Sequence, residues 1–213
     1  MSIPKRNPLL LVVSAPSGAG KTTLCDRLMS ESEGIAFSVS CTTRPQREGE
    51  VDGKNYHFLS NDQFDERLSA EEFIEHAVVH GFRYGTLKSS VYEAFKAGLD
   101  LLMDVDVQGA SQIRRYAENV THDDPVRSAY ADVFIVPPSM DTLKTRLMGR
   151  GKDDEGVINK RLAGAKEELK HWRDYQYVIV NDSIDDSTAT LKSILSAERS
   201  RVRRIRAMDM FFI

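Results

Sequence analysis

The segment that runs from an apolar stretch into a glycine-rich turn constrains this chain more than any other. It reads Leu-Leu-Val-Val-Ser-Ala-Pro-Ser-Gly-Ala-Gly-Lys-Thr over residues 10–22. The apolar start is typical of a buried strand, and residues 20–31 are typical of a helix. A strand, a glycine-rich turn and a helix in this order predict a phosphate-binding loop.

The residue types in the turn suit the binding of phosphate groups. Gly18 and Gly20 permit tight backbone conformations that direct successive N–H groups inward, and the positive end of the helix points to the same place. Lys21 is expected to reach the β and γ phosphates, and the Thr22 hydroxyl to hold Mg²⁺. Ala15 departs from the strict pattern, which has glycine there. The alternative is an ordinary turn with an exposed lysine, but Gly-Lys-Thr follows the strand at the right distance. The predicted ATP-binding residues are Ala15, Pro16, Ser17, Gly18, Ala19, Gly20, Lys21, Thr22 and Thr23.

Strand-like and helix-like stretches alternate along most of the chain. This alternation predicts an α/β fold with a mainly parallel sheet flanked by helices. Residues 40 to about 94 contain more strands and loops than a crossover needs, which predicts a small inserted subdomain. Residues 118–132 are polar without an apolar period, so we expect an exposed loop there. A helix is expected over residues 187–205, and the arginines between 199 and 206 are interpreted as its solvated face or an oligomer contact.

Composition excludes several classes of protein. The net charge of −3 gives no reason to expect nucleic acid or an anionic membrane as a partner. No apolar stretch approaches the ~20 residues of a membrane helix, and the N-terminal residues lack the pattern of a signal peptide. With only two cysteines, the 213-residue chain has no disulfide framework. These features predict a cytoplasmic protein.

A second group of polar residues suits a phosphate monoester. Arg44 and Arg47 are three residues apart, with hydroxyl side chains before them and a tyrosine, Tyr56, after them. Asp104 and Asp106 follow a buried strand two residues apart, so both project to the same side, where a parallel sheet opens onto its ligand crevice. Taken singly, each of these charges is equally well explained as a solvated surface residue. Their occurrence together after a phosphate-binding loop favours a second binding site.

With these motifs in this order and spacing, the chain resembles the guanylate kinases from about residue 10 to about residue 194. The resemblance implies transfer of the γ-phosphoryl group of ATP to GMP, with dGMP as a further acceptor to test. It implies that the phosphate of GMP is bound by Ser40, Arg44, Arg47, Tyr56 and Tyr84. It implies that the guanine base is recognised by Glu75, Thr86 and Asp106. It also implies that Asp104 lies near Mg²⁺ and that Asn181 lies beside the adenine of ATP.

The chemistry of guanine fits this assignment. Guanine N1–H and N2–H₂ are donors that a carboxylate such as Glu75 can accept, and a hydroxyl such as Thr86 can donate to guanine O6. Adenine would leave a buried carboxylate without partners, a loss that can discriminate by roughly 10⁴-fold.

A flexible segment with several arginines is expected to close over the nucleotides. Gly149 and Gly151 flank Arg150 between two helical patterns and can act as hinges. Arginines on such a flap would meet the charge of the transferring phosphoryl group and displace water. Together with the loop lysine, the expected catalytic residues are Lys21, Arg44, Arg146, Arg150 and Arg161.

The expected organisation is one domain with three parts: a core of residues 8–39, 96–144 and 174–207, a GMP-binding part of residues 40–95, and a lid of residues 145–173. The sequence is compatible with either a monomer or a homo-oligomer. Two rival functions remain, a non-catalytic interaction module of the same fold and a kinase of a sugar phosphate. The intact loop and the arginines oppose the first, and Glu75, Thr86 and Asp106 oppose the second.

Overall fold

A computed structural model describes residues 5–79, 81–149 and 155–207. Its strands are Lys5–Arg6 (β1), Leu10–Ser14 (β2), Ile35–Phe37 (β3), Cys41–Thr42 (β4), His57–Phe58 (β5), Phe73–Val79 (β6), Phe82–Leu87 (β7), Asp100–Asp104 (β8), Tyr130–Val136 (β9), Tyr177–Val180 (β10) and Ile205–Ala207 (β11). Its α-helices are Lys21–Glu31 (α1), Asn61–Ser69 (α2), Lys88–Lys96 (α3), Val107–Asn119 (α4), Pro125–Ala129 (α5), Met140–Met148 (α6), Glu155–Leu169 (α7) and Ile184–Arg199 (α8). Short 3-10 helices lie at Lys170–Asp174 and Val202–Arg204.

The central sheet has five parallel strands in the order β10-β9-β2-β8-β3. All five residues of β2 are buried, because helices cover both faces of the sheet and the strand therefore reads as a continuous apolar run. Leu11 and Leu24 belong to the core on one face, and Val12 and Ile113 to the core on the other. The predicted α/β fold with a mainly parallel sheet is confirmed.

A second sheet of four strands, in the order β5-β4-β7-β6, lies within residues 41–87. It has a small core of its own, in which the rings of Phe64 and Phe73 stack at 4.4 Å between centroids. Strands β6 and β7 are antiparallel, with Glu75 opposite Thr86 in register. Ile74, the neighbour of Glu75, packs into the core of the central sheet. This register brings two of the predicted site residues together and turns them toward the central sheet.

The prediction of an exposed loop over residues 118–132 is wrong. Helix α4 extends to Asn119, α5 occupies Pro125–Ala129 and β9 begins at Tyr130. The Asp124 side chain accepts from the backbone N–H of Val126 at 2.8 Å and caps α5, whose first residue is a proline. Val126 is fully buried. The segment lacks an apolar period because each of its elements is too short to display one.

The expected helix over residues 187–205 is also shorter than predicted, because α8 ends at Arg199. The arginines beyond it are not one solvated face. Arg204 is fully buried and its Nη2 donates to Glu198 Oε2 at 2.6 Å, while its Nη1 donates to the Ser128 carbonyl at 2.6 Å. Strand β11 then pairs with β1 in an antiparallel ribbon. Among the helices of the described residues, none has the length and apolar character needed to span a membrane.

Candidate functional site

The glycine-rich turn between β2 and α1 forms a cradle around a cavity at the start of α1. Gly18 and Gly20 have φ values of 90° and 95°, which residues other than glycine rarely adopt. A Cβ at Gly20 would also overlap the amide nitrogen of Asn181. The cavity beside this turn has a volume of about 290 Å³. It is lined by Ala15, Pro16, Ser17, Gly18, Gly20, Lys21, Thr22, Thr23, Asp106 and Glu168.

Lys21 extends from the first turn of α1 toward the end of β8. Its Nζ donates to the Val105 carbonyl at 2.8 Å and forms an ion pair with Asp104. Both partners lie at the carboxyl end of a parallel strand, the edge where α/β sheets bind ligands. The ammonium group is therefore held between the loop and the second cavity, and it lines both.

The oxygen atoms near this lysine suit a magnesium ion that arrives with a nucleotide. Thr22 lines the loop cavity and Asp104 lines the second cavity, so a hydroxyl and a carboxylate are available. Hydroxyl, carboxylate and phosphate oxygens are the ligands that Mg²⁺ prefers. Within the part of the chain that the structure describes, no group of three or more His, Cys, Asp or Glu residues can hold a metal by itself. The donor set fits an ion that takes its other ligands from phosphate and water.

The second cavity has a volume of about 300 Å³ and lies between the two sheets. It brings together residues that are far apart in sequence. Its lining includes Lys21, Ser40, Tyr56, Glu75, Ala77, Val79, Tyr84, Asp104, Val105 and Asp106. The structure therefore gathers most of the residues predicted from the acceptor motifs at one place, next to the loop lysine.

Glu75 and Thr86 form a buried polar pair at this cavity. The Thr86 hydroxyl donates to Glu75 Oε1 at 2.7 Å, and it lies 3.2 Å from the Ser40 hydroxyl. Burial raises the pKa of the Glu75 carboxyl, the Thr86 hydrogen bond opposes that rise, and the neighbouring Asp106 adds to it. A carboxylate of this kind, with one oxygen satisfied and a cavity beside it, is a strong acceptor for paired N–H donors.

Arg44 is held in place by a carboxylate that the sequence alone did not single out. Its Nη1 and Nη2 donate to the two carboxylate oxygens of Glu50 at 2.9 and 2.7 Å. The guanidinium also lies 5.3 Å from the centroid of the Tyr56 ring. The Arg44 hydrogen bonds lower the pKa of Glu50 to about 2, so the pair stays ionised at neutral pH. Arg47 is exposed, and its backbone N–H donates to Glu50 Oε2 at 2.8 Å.

Two tyrosines lie beside Arg44. The rings of Tyr56 and Tyr84 meet edge to face, with 5.9 Å between centroids, and both line the second cavity. Tyr84 is on β7 and Tyr56 immediately precedes β5, so the small sheet sets their separation. Phenol and guanidinium groups at this end, and the Glu75–Thr86 pair at the other, give the cavity one end for a phosphate and one for a base.

Asp106 immediately precedes α4, and Gly109 lies in the first turn of that helix. The Asp106 carboxylate accepts from the Gly109 N–H at 2.8 Å and caps the helix, while lining both cavities. A Cβ at Gly109 would lie 3.0 Å from Glu75 Oε2. The helix backbone therefore approaches the Glu75 carboxylate as closely as a glycine allows.

The α6 helix packs directly against the phosphate loop. A Cβ at Gly18 would lie 2.9 Å from Leu147 Cδ2, and Arg146 Nη2 donates to the Asn181 carbonyl at 2.9 Å. Arg146 Nη1 is buried and has no hydrogen-bond partner among the described residues. Arg161 lies on α7 and is partly buried. Arg150, also expected on the lid, lies outside the described residues.

Asn181 is placed beneath the loop. The side chain is fully buried, and its Nδ2 donates to the Ala19 carbonyl at 2.7 Å. Its Oδ1 is buried without a hydrogen-bond partner in the described ranges. The amide therefore supports the loop backbone, and its expected contact with adenine stays a prediction.

Sequence reasoning missed three residues of the site, Glu50, Gly109 and Glu168. Glu50 is one of several acids in a charged stretch, and nothing local shows that its carboxylate faces Arg44. Gly109 belongs to an ordinary helical pattern, and Glu168 is one of two adjacent glutamates on α7. The close contact of Gly109 and the cavity position of Glu168 depend on elements that meet only in the folded chain.

Comparisons with known proteins agree on one family. A family model described as guanylate kinase matches residues 6–198. A guanylate kinase of Novosphingobium aromaticivorans is 47% identical over 199 residues, which cover 93% of this chain and 86% of the relative. A guanylate kinase of Maricaulis maris is 46% identical over 202 residues, covering 95% and 88%. The crystal structure of guanylate kinase from Anaplasma phagocytophilum matches with a TM-score of 0.74 at 32% identity, covering 98% of this chain and 95% of that one.

Proposed function

The chain belongs to the guanylate kinase family, and we propose that its two adjoining cavities are the two nucleotide sites of that family's reaction. The protein transfers the γ-phosphoryl group of ATP to GMP and produces ADP and GDP. The observation that carries the proposal is the position of Lys21, which lines the phosphate-loop cavity and also the cavity that contains Glu75. A terminal phosphate bound at the loop would therefore face an acceptor bound in the second cavity.

The base of GMP binds at the Glu75 end of the second cavity. The free lone pairs of the Glu75 carboxylate accept from guanine N1–H and N2–H₂, and the Thr86 hydroxyl, now bonded to Glu75 at 2.7 Å, can turn to donate to O6. Asp106, whose carboxylate is fixed by the cap of α4, recognises the same edge. Adenine has no donor at N1, so it would leave the buried carboxylate unpaired.

The phosphate of GMP binds at the other end. Arg44 supplies a fixed guanidinium, and Tyr56 and Tyr84 supply hydroxyl donors beside it. Ser40 lines the same cavity, and Arg47 is exposed and free to turn toward the phosphate from the loop that Glu50 organises. Because Glu50 already holds Arg44, little side-chain freedom is lost when the phosphate arrives.

The triphosphate of ATP binds at the glycine-rich turn, where residues 15–23 supply N–H groups and hydroxyls. ATP is the donor in the reaction of this family, and we propose that Mg²⁺ accompanies it, held by Thr22 and, through water, by Asp104. When bound, the ion neutralises charge on the β and γ phosphates. Lys21 exchanges its ion pair with Asp104 for the phosphate oxygens. Asn181 keeps the loop in shape from below.

Transfer then requires little covalent chemistry from the protein. An oxygen of the GMP phosphate attacks the γ-phosphorus in line with the departing ADP oxygen, and no covalent enzyme intermediate forms. Lys21 and Arg44 stabilise the charge that spreads over the transferring group, joined by the lid arginines Arg146, Arg150 and Arg161. The lid, residues 145–173, closes over the core and the GMP-binding part, residues 40–95, and so excludes water from the reacting groups.

We also propose that the reaction takes place in the cytoplasm, without a nucleic-acid or membrane partner. The net charge of −3 gives no reason to expect either kind of partner.

A coupled assay of ADP release tests the proposal. Purified protein with Mg²⁺ and ATP is supplied with GMP, dGMP, AMP or ribose 5-phosphate in parallel. We expect rapid ADP release with GMP, a measurable rate with dGMP, and only the background rate with AMP. Rapid turnover of ribose 5-phosphate would favour the sugar-phosphate kinase, and no turnover of any acceptor by folded protein would favour the interaction module.

A further inference from the structure

Glu168, near the end of α7, has no part in the reaction proposed above, yet it lines the phosphate-loop cavity. The residue is partly buried, although most of its neighbours on α7 are exposed. Its backbone belongs to the segment predicted to act as a lid. A carboxylate from the predicted lid therefore lines the cavity in which the glycine-rich turn is expected to bind phosphate.

The surroundings of this carboxylate include groups that favour an anion and groups that oppose one. One of its oxygens, Oε2, is buried and has no hydrogen-bond partner among the described residues. Burial and the neighbouring Asp106 raise the pKa of Glu168, whereas Lys21, the Ser17 N–H and His171 act in the opposite direction. The groups that favour its charged form are thus the loop lysine, a loop N–H and His171. The first two are the kinds of group that bind phosphate.

A bound triphosphate brings further negative charge into the same cavity. Two anions in a partly desolvated space repel strongly, and the Glu168 carboxylate already lies near Asp106. The Lys21 ammonium and the Ser17 N–H cannot serve both anions fully. Binding of the triphosphate therefore has to release the carboxylate from the cradle.

We propose that Glu168 acts as a stand-in anion, which occupies the phosphate cradle of the nucleotide-free protein and is displaced when the phosphates of ATP enter. This inference rests on the proposed assignment of the cavity to ATP. Displacement would also release the end of α7 from the loop, so that entry of the triphosphate and movement of the lid are coupled. Glu168 is then a positioning residue whose charge weakens nucleotide binding.

The direct test measures binding of Mg·AMP-PNP to the full chain by isothermal titration calorimetry. Glu168→Gln keeps the shape and one acceptor oxygen but removes the charge, and Glu168→Ala removes the whole group. We expect both variants to bind about tenfold more tightly, which corresponds to ~1.4 kcal/mol. In steady-state kinetics, KM for ATP should fall while KM for GMP stays the same, a separation that a general loss of structure would not produce.

Glu167→Gln is the matched control. It makes the same chemical change one residue earlier, where the side chain is 71% exposed and pairs with Lys170. Its affinity for Mg·AMP-PNP should stay within about twofold of the wild type, because exposed charges interact weakly. Thermal unfolding of each variant shows whether the fold is intact.

The outcomes separate this inference from the proposed function. If the wild type does not bind Mg·AMP-PNP at all, the assignment of the cavity to ATP is wrong. If the wild type binds but Glu168→Gln and Glu168→Ala bind equally well, the carboxylate does not compete with phosphate. Weaker binding by both variants would mean that Glu168 helps to hold the nucleotide, which also overturns the inference.

Discussion

Replacing Gly109 by alanine should damage recognition of GMP and leave ATP binding intact. The new Cβ would lie 3.0 Å from Glu75 Oε2 and 3.1 Å from Val105 Cβ, distances that force neighbouring atoms to move by a few tenths of an ångström. The Glu75 carboxylate is held on its other side by the Thr86 hydroxyl at 2.7 Å, so it cannot move without straining that bond. The substitution therefore acts on the group proposed to read guanine.

The expected size of the effect follows from the bonds at stake. A hydrogen bond to a charged group contributes about 1.5–3 kcal/mol, and misalignment of the carboxylate weakens the two that guanine donates. Loss of about 1.4–2.8 kcal/mol corresponds to a 10- to 100-fold rise in KM for GMP. KM for ATP should change by less than about twofold, because Gly109 does not line the phosphate-loop cavity.

Steady-state kinetics of Gly109→Ala, with Gly164→Ala as the control, measure this effect. Both glycines lie within helices and have no positive φ, so the backbone at each position accepts alanine. A Cβ at Gly164 meets no atom within 4 Å, so that variant should keep wild-type KM values. An unchanged KM for GMP in the Gly109 variant would show that Glu75 does not read the base in the way proposed. Equal rises in KM for GMP and KM for ATP would show that the Gly109 substitution does not act selectively on the GMP site.

Three further predictions concern charged groups. Lys21→Ala should lower kcat by about 10²–10³-fold with an unchanged circular dichroism spectrum, because it removes charge from the transition state; near-normal turnover in the ADP-release assay would exclude Lys21 from the mechanism. Burial raises the pKa of Glu75, and only its ionised form accepts from guanine, so KM for GMP should rise as the pH falls toward that pKa, measured from pH 8 to 5. The same pH series with Glu75→Gln shows how much of the change comes from ionisation of the GMP phosphate. Parallel curves of KM for GMP against pH in the wild type and the variant would show that the Glu75 carboxylate does not bind guanine. Burial would raise the pKa of Glu198, but the Tyr177 and Arg204 hydrogen bonds outweigh it and hold the pKa below its usual value. The ionised Glu198 carboxylate therefore stabilises the fold above its unfolded pKa, and this contribution is lost as the pH falls. Glu198→Gln should lower the free energy of unfolding by about 3 kcal/mol, measured by urea denaturation at pH 7. A decrease below about 0.5 kcal/mol would show that the pair with Arg204 contributes little to stability.

Much of the fold and of the site could be predicted because the residues that determine them are close together in the sequence. The phosphate loop occupies one short run, in which the strand, the glycines and Lys21 are contiguous. The helix predicted over residues 20–31 agrees with α1, which begins at Lys21 and ends at Glu31. In these segments the chemistry and the local conformation depend on the same few residues.

The features that were missed depend on partners in other elements of the fold. Residues 118–132 looked like an exposed loop because they are polar and show no apolar period, yet Asp132 is fully buried and accepts from Arg114 Nη2 at 2.6 Å. Arg204 looked like a solvated charge because Glu198, its buried partner, lies on a different element. A charge that is neutralised by tertiary contact cannot be recognised from its neighbours in the chain.

A crystal structure of the protein with GMP and Mg·ADP would locate both nucleotides. We expect guanine N1 and N2 to lie within hydrogen-bonding distance of the Glu75 carboxylate and the GMP phosphate to contact Arg44. We also expect this phosphate to point toward the β-phosphate of ADP at Lys21. A guanine ring bound away from Glu75, or a GMP phosphate that faces away from Lys21, would contradict the proposed assignment of the two cavities.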